Sequence, residues 1–134
     1  MRGLATILLV PLAASPALAQ DAMTAPPAAP FAQVSTLVPL PEFIPGLGTL
    51  YVDPATLPAG PFLGYDHDGK LSATIYMVPI EDLTSGTAFD GLAVGAETVT
   101  GVDIYYNAGH PGVEKPHAHV VLYHDAGAQE RLAQ

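Results

Sequence analysis

The sequence predicts a mostly β fold: an antiparallel β-sandwich or barrel-like single domain with little helix. Three observations predict it. Apolar, β-branched and aromatic residues come in short runs separated by Pro and Gly, of which the chain has 14 and 13, close enough together to interrupt any long helix. Residues 70–78 alternate, with Leu71, Ala73, Ile75 and Met77 on one face and Ser72, Thr74 and Tyr76 on the other, the period of a half-buried strand. Apolar spacing of the kind an amphipathic helix needs is almost absent.

The elements follow in order. Residues 1–19 have a positive start at Arg2, an apolar stretch from Leu4 to Leu12 and a small-residue Ala17-Leu18-Ala19 end. That is the pattern of a secretory signal peptide cleaved after Ala19. The apolar stretch, broken by Pro11 and Pro16, falls short of the ~20 residues that span a bilayer. The expected location is therefore exported, periplasmic or extracellular, with no integral membrane segment after cleavage. Residues 20–36 are an Ala/Pro tract without a usable period and read as a flexible leader. The β domain is expected over 37–125.

Within it, residues 48–53 and 60–65 read as strands. Asp66-His67-Asp68-Gly69 between two β-rich runs has hairpin chemistry. Pro79 followed by Glu81 and Asp82 predicts one helical turn. Residues 85–96 form a Gly-rich loop, 97–106 a strand, 107–116 a ten-residue loop and 117–124 the last strand. Residues 126–134 are expected to be a polar tail.

Without Cys there is no disulfide framework, so stability must come from burial, a metal or oligomerisation. Loss of residues 1–19 would leave three cationic residues against thirteen carboxylates, a formal charge of −10. Such a surface repels phosphates, which excludes nucleic acid as a partner, and it favours cations. Pro-rich extended segments and two-sided apolar strands in a small domain point to self-association, a homo-oligomer of closed symmetry.

Four of the five histidines lie in the 18 residues from Asn107 to His124. His117 and His119, two apart on a strand, project from one face, and neutral imidazole is a common ligand for transition metals. His110, in the loop before them, is the natural third ligand. Three imidazoles would leave an open position on Zn, Cu or Ni, as catalytic zinc sites do. His124, Asp103 and Glu114 are further candidates, although strict alternation turns His124 to the opposite face. The His-x-His-x4-His spacing resembles the first metal motif of cupins, but only ten residues follow His124, too few for their second motif. The calcium-like start at Asp66 lacks the later acidic ligands. No Cys, Gly-x-Ser-x-Gly elbow or phosphate loop supports nucleophilic or nucleotide chemistry, so no catalytic residue is assigned. The sequence favours a structural or binding module over the alternative, a divalent-metal-binding protein or metal-dependent enzyme using the His cluster.

Leu40-Pro-Glu-Phe-Ile-Pro-Gly-Leu-Gly-Thr-Leu-Tyr-Val-Asp53, Gly64-Tyr-Asp-His-Asp-Gly-Lys-Leu71, Ala73-Thr-Ile-Tyr-Met-Val-Pro79, Val102-Asp-Ile-Tyr-Tyr-Asn-Ala-Gly-His-Pro-Gly112 and Pro116-His-Ala-His119 together resemble a family of exported bacterial β-rich proteins of unknown function. One type, from a Thermus species, is a closed homo-oligomer. The resemblance implies a fold and an assembly and no activity. Ala118 stands where that family more often has an aromatic residue.

Overall fold

The computed structural model describes residues 22–134; the expected signal peptide and its cleavage point lie outside the described residues. Six strands, β1 (Ala32–Gln33), β2 (Thr49–Val52), β3 (Phe62–Tyr65), β4 (Leu71–Pro79), β5 (Gly101–Asn107) and β6 (His117–Tyr123), are joined in one antiparallel sheet in the order β1-β2-β3-β4-β6-β5. Two short α-helices, α1 (Ile80–Thr84) and α2 (Ala128–Leu132), and two 3-10 turns at Val34–Thr36 and Pro54–Thr56 make up the rest of the regular structure among the described residues.

The β3–β4 hairpin forms as its sequence predicts. Gly69 adopts φ +78, a conformation glycine enters without steric cost. The Asp66 carboxylate caps the turn by accepting from the backbone N–H groups of Asp68 and Lys70, both at 2.9 Å. Its other oxygen accepts from Arg131 Nε at 2.8 Å, so both carboxylate oxygens are engaged within the chain and the calcium-like motif is turn chemistry.

β4 is central, and all nine of its residues are buried. Ala73, Ile75 and Met77 join Leu50, Val52, Phe62, Val121 and Tyr123 in the larger core, which is covered by residues 34–47, by Val113 and by Ala128 and Leu132 of α2. On the opposite face Leu63, Tyr65 and Leu71 pack under Ala22 and Ala96. Irregular chain and short helices thus supply the layer on each face that a second sheet supplies in a sandwich.

Two expectations are corrected. Leu71, expected on the face of Ala73, Ile75 and Met77, packs in the opposite core with Leu63 and Tyr65, because the β3–β4 ladder shifts register and pairs Gly64 with Ala73 but Tyr65 with Leu71. The stretch read as a flexible leader is tied down: Tyr65 Oη donates to the Ala22 carbonyl at 2.6 Å, the Ala25 N–H to the Gly69 carbonyl at 2.8 Å, and the Leu71 N–H to the Met23 carbonyl at 3.0 Å. Residues 32–33 add β1 to the edge of β2. A segment whose backbone bonds are made one by one to a sheet face needs no hydrophobic period, which is why composition alone suggested disorder. Within residues 126–134, α2 turns Ala128 and Leu132 inward, and both are fully buried.

β5 forms one edge of the sheet. Its outward residues Val102, Ile104 and Tyr106 are 51, 70 and 65% exposed. Across the ladder they pair with Leu122, Val120 and Ala118, so an apolar band crosses both strands.

Candidate metal centre

The inward faces of β5 and β6 converge on the three histidines. Strand alternation turns His117 and His119 to the core face together with Val121 and Tyr123, and all four are buried. The 107–116 loop returns His110 to them. That loop is tight: His110 and Val113 exchange backbone hydrogen bonds at 3.0 Å in each direction, and Val113 is anchored in the core. Asn107 Oδ1 accepts from the Gly109 N–H at 2.8 Å. Gly109 has φ +130, and a Cβ there would meet the Glu114 carbonyl oxygen at 2.2 Å, so no larger residue fits without moving the loop.

The three Nε2 atoms approach one another at 2.8 Å (His117–His119), 3.1 Å (His117–His110) and 3.3 Å (His110–His119). Three nitrogens each about 2.0–2.1 Å from one zinc ion at tetrahedral angles stand about 3.3 Å apart, so the triangle has the size of a metal-ligand set, compressed on one edge. Every Nδ1 has its own partner. His117 Nδ1 donates to the Lys115 carbonyl at 2.7 Å and His110 Nδ1 to the Pro111 carbonyl at 3.0 Å. His119 Nδ1 meets the Tyr105 hydroxyl at 3.1 Å. A carbonyl can only accept, which assigns the single proton of a neutral His117 and His110 to Nδ1. Their Nε2 lone pairs then face each other with no proton between them, and a cation relieves that opposition. Outer hydrogen bonds that fix tautomer and ring orientation are the usual support of metal-bound histidine.

Burial pushes His119 down from 6.5 to about 4, with the neighbouring His117 and His110 adding to it. His117 is lowered as well, by burial first and by His110, against the Lys115 carbonyl, which favours its charged form. Burial thus favours the neutral form of His117 and His119, the form that binds metal.

Among the described residues, His110, His117 and His119 are the group positioned to hold an ion. The further candidates are not brought to it. His124 lies on the opposite face of β6, with Nε2 at 2.7 Å from Thr74 Oγ1 and Nδ1 donating to the Thr98 carbonyl at 2.7 Å. Asp103 shares the inner face but accepts from Tyr123 Oη at 3.0 Å and Gln129 Nε2 at 3.3 Å. Glu114 is exposed. Tyr105 was not among the residues the sequence singled out; its register opposite His119 places it beside the site.

Next to the imidazoles the core face leaves a cavity of about 230 Å³, whose wall includes Val34, Val38, Leu50 and Met77 together with His110 and His119. Sequence reasoning missed it because Val34 fell in the supposed leader.

No family model and no curated protein matches the chain. Among solved structures, the crystal structure of the hypothetical protein TTHB210 from Thermus thermophilus is similar, with a TM-score of 0.58 and 43% sequence identity, over 70% of this chain and 86% of that one.

Proposed function

The chain belongs to the family of the Thermus thermophilus hypothetical protein TTHB210, and on that premise we propose that it is an exported module that binds a divalent transition-metal ion, Zn²⁺, Cu²⁺ or Ni²⁺, through Nε2 of His110, His117 and His119. One observation carries the reading: two imidazoles whose Nδ1 protons are committed to carbonyls present bare Nε2 atoms to each other at 3.1 Å, with a third Nε2 within 3.3 Å of both. A strongly acidic chain adds a favourable field for a cation. Calorimetry at neutral pH tests it. Binding of one ion per chain is expected, lost in the double change His117→Ala with His119→Ala and kept in His67→Ala. Absence of both heat and thermal shift with all three metals would defeat the reading.

A second reading concerns assembly, and the uncovered apolar band of Val102, Ile104 and Tyr106 on the edge strand favours it. An unpaired edge carrying exposed apolar side chains is a surface that soluble proteins usually cover. We propose that it is covered by a second copy in a closed homo-oligomer. Light scattering should give a mass above the monomer, and Ile104→Lys should reduce it; a monomeric parent chain at millimolar concentration would refute this. Export is checked by mass spectrometry of the native protein, whose first residue should be Gln20.

A further inference from the structure

We infer that the cavity beside the three histidines is a binding site for a small apolar molecule that ends in one metal-binding donor, such as an azole or a carboxylate. The inference rests on the metal reading above and adds the ligand class that the metal centre would take.

Protein interiors are close-packed and hold few voids larger than a water molecule. The space of about 230 Å³ here is an apolar concavity partly open at its mouth rather than a sealed void. Apolar cavities stay dry and accept apolar guests: one of about 150 Å³ takes benzene. On that scale this cavity takes roughly nine non-hydrogen atoms, a short hydrocarbon chain or a substituted ring. Its wall is aliphatic or aromatic apart from Asn107, His110 and His119. Asn107 Oδ1 is already occupied by the Gly109 N–H. The imidazoles and the Asn107 amide N–H groups are then the polar features a guest would find, and an ion held by three imidazoles keeps a coordination position for an outside donor. Apolar surroundings with a few convergent polar groups are the usual composition of a small-molecule site. Leu37 and Leu57, wall residues that are 42 and 37% exposed, mark the way in, with the exposed Pro111 and Gly112 also on the rim. A guest with an apolar body and one Lewis-base end satisfies both halves of the site, whereas a strongly polar or highly charged molecule would strand its polar groups against hydrocarbon.

The test uses the full chain loaded with Co²⁺, whose visible absorption reports changes in coordination. Titration with 4-phenylimidazole should give binding at least tenfold tighter than imidazole, because only the former buries apolar surface. Octanoate should show the same advantage over acetate. Leu37→Trp at the mouth, and Val38→Phe as a second filling change, should abolish both advantages while leaving Co²⁺ affinity and imidazole binding as in the parent. If Co²⁺ binds and the apolar tail brings no gain, or the gain survives both filling changes, this inference is overturned and the metal reading stands. If Co²⁺ does not bind, the metal reading fails and the inference falls with it.

Discussion

Tyr105 and His119 face each other across the β5–β6 ladder, directly paired in register, with the Tyr105 hydroxyl 3.1 Å from His119 Nδ1. The two rings meet edge to face at a centroid distance of 5.0 Å. The phenol therefore fixes the rotation of the imidazole whose Nε2 points into the three-histidine triangle. Burial raises the Tyr105 pKa, with Asp103 adding to it, so the phenol is protonated through the neutral range.

Loss of that hydroxyl should loosen the metal site without removing a ligand. Tyr105→Phe is expected to lower metal affinity by ~10–100-fold, the usual effect of deleting an outer partner of a ligating histidine. Its melting temperature without metal should stay near that of the parent, because Tyr105 is 43% exposed. Competition titration against a chelator measures the affinity, and an unchanged value would remove Tyr105 from the site.

The metal-free protein should lose stability in mildly acid solution. His119 titrates near 6.5 in an unfolded chain and at about 4 when folded. Its folded pKa is depressed, so its contribution is fully present above about 6.5 and is lost as pH falls toward 4, where the unfolded chain takes up a proton the folded one refuses. Urea unfolding in the presence of a chelator should show a midpoint that drops between those values. His119→Gln should flatten that part of the profile; an unchanged slope would mean that His119 is not the group responsible.

Gly109 holds the His110 loop at φ +130, against the Glu114 carbonyl. Gly109→Ala should therefore cost stability through backbone strain and a displaced loop, by roughly 1–3 kcal/mol. It should also weaken metal binding, since His110 is carried by the same turn. Thermal melting and metal titration of one variant give both readings. A shift in neither would show that the loop accommodates a side chain without moving its histidine.

Much of the fold was legible from period and punctuation. The Asp-Gly turn and the alternation of residues 70–78 located the central hairpin, and two-residue spacing paired His117 with His119, because both depend on local chemistry that tertiary context seldom overrides. The register between β5 and β6 was not legible: it brings Tyr105 to His119 and leaves Asp103 with Tyr123 and Gln129, and it is set by packing across the sheet. Residues 22–36 were misread because their order comes from isolated hydrogen bonds of Ala22, Met23 and Ala25 to Tyr65, Leu71 and Gly69, more than 40 residues away, and from a two-residue strand at 32–33 too short to show a period. With that segment unread, Val34 could not be placed in the cavity wall.

Arg131 gives the last prediction, because it joins three separated parts of the chain. Its guanidinium donates to both oxygens of Asp125, each at 2.7 Å, to Asp66 Oδ2 at 2.8 Å and to Ser72 Oγ at 3.0 Å. The first of these carboxylates starts the turn into α2, the second caps the hairpin, and Ser72 lies on β4. Arg131 holds the Asp125 carboxyl well below the usual carboxylate range, and Lys70 and the Gly127 N–H add to the effect. For Asp66 burial works in the opposite direction, yet the hydrogen bonds from Lys70, Arg131 and Asp68 outweigh it and its pKa is also lowered. Both folded pKa values are depressed, so the stabilisation is present above about 4, where unfolded Asp is ionised, and is lost as pH falls below that. Arg131→Met keeps most of the side chain's bulk and removes the donors. It should destabilise the protein by about 1–3 kcal/mol at neutral pH, the range for hydrogen bonds to charged groups. Asp125 and Arg131 are about a third exposed, so solvent screening places the expected value toward the lower end. The difference between parent and variant should shrink progressively as pH falls below about 4 and close only in strong acid, once the folded carboxylates themselves are protonated. Equal stability at pH 7, measured by chemical denaturation, would show that α2 is held by the burial of Ala128 and Leu132 alone.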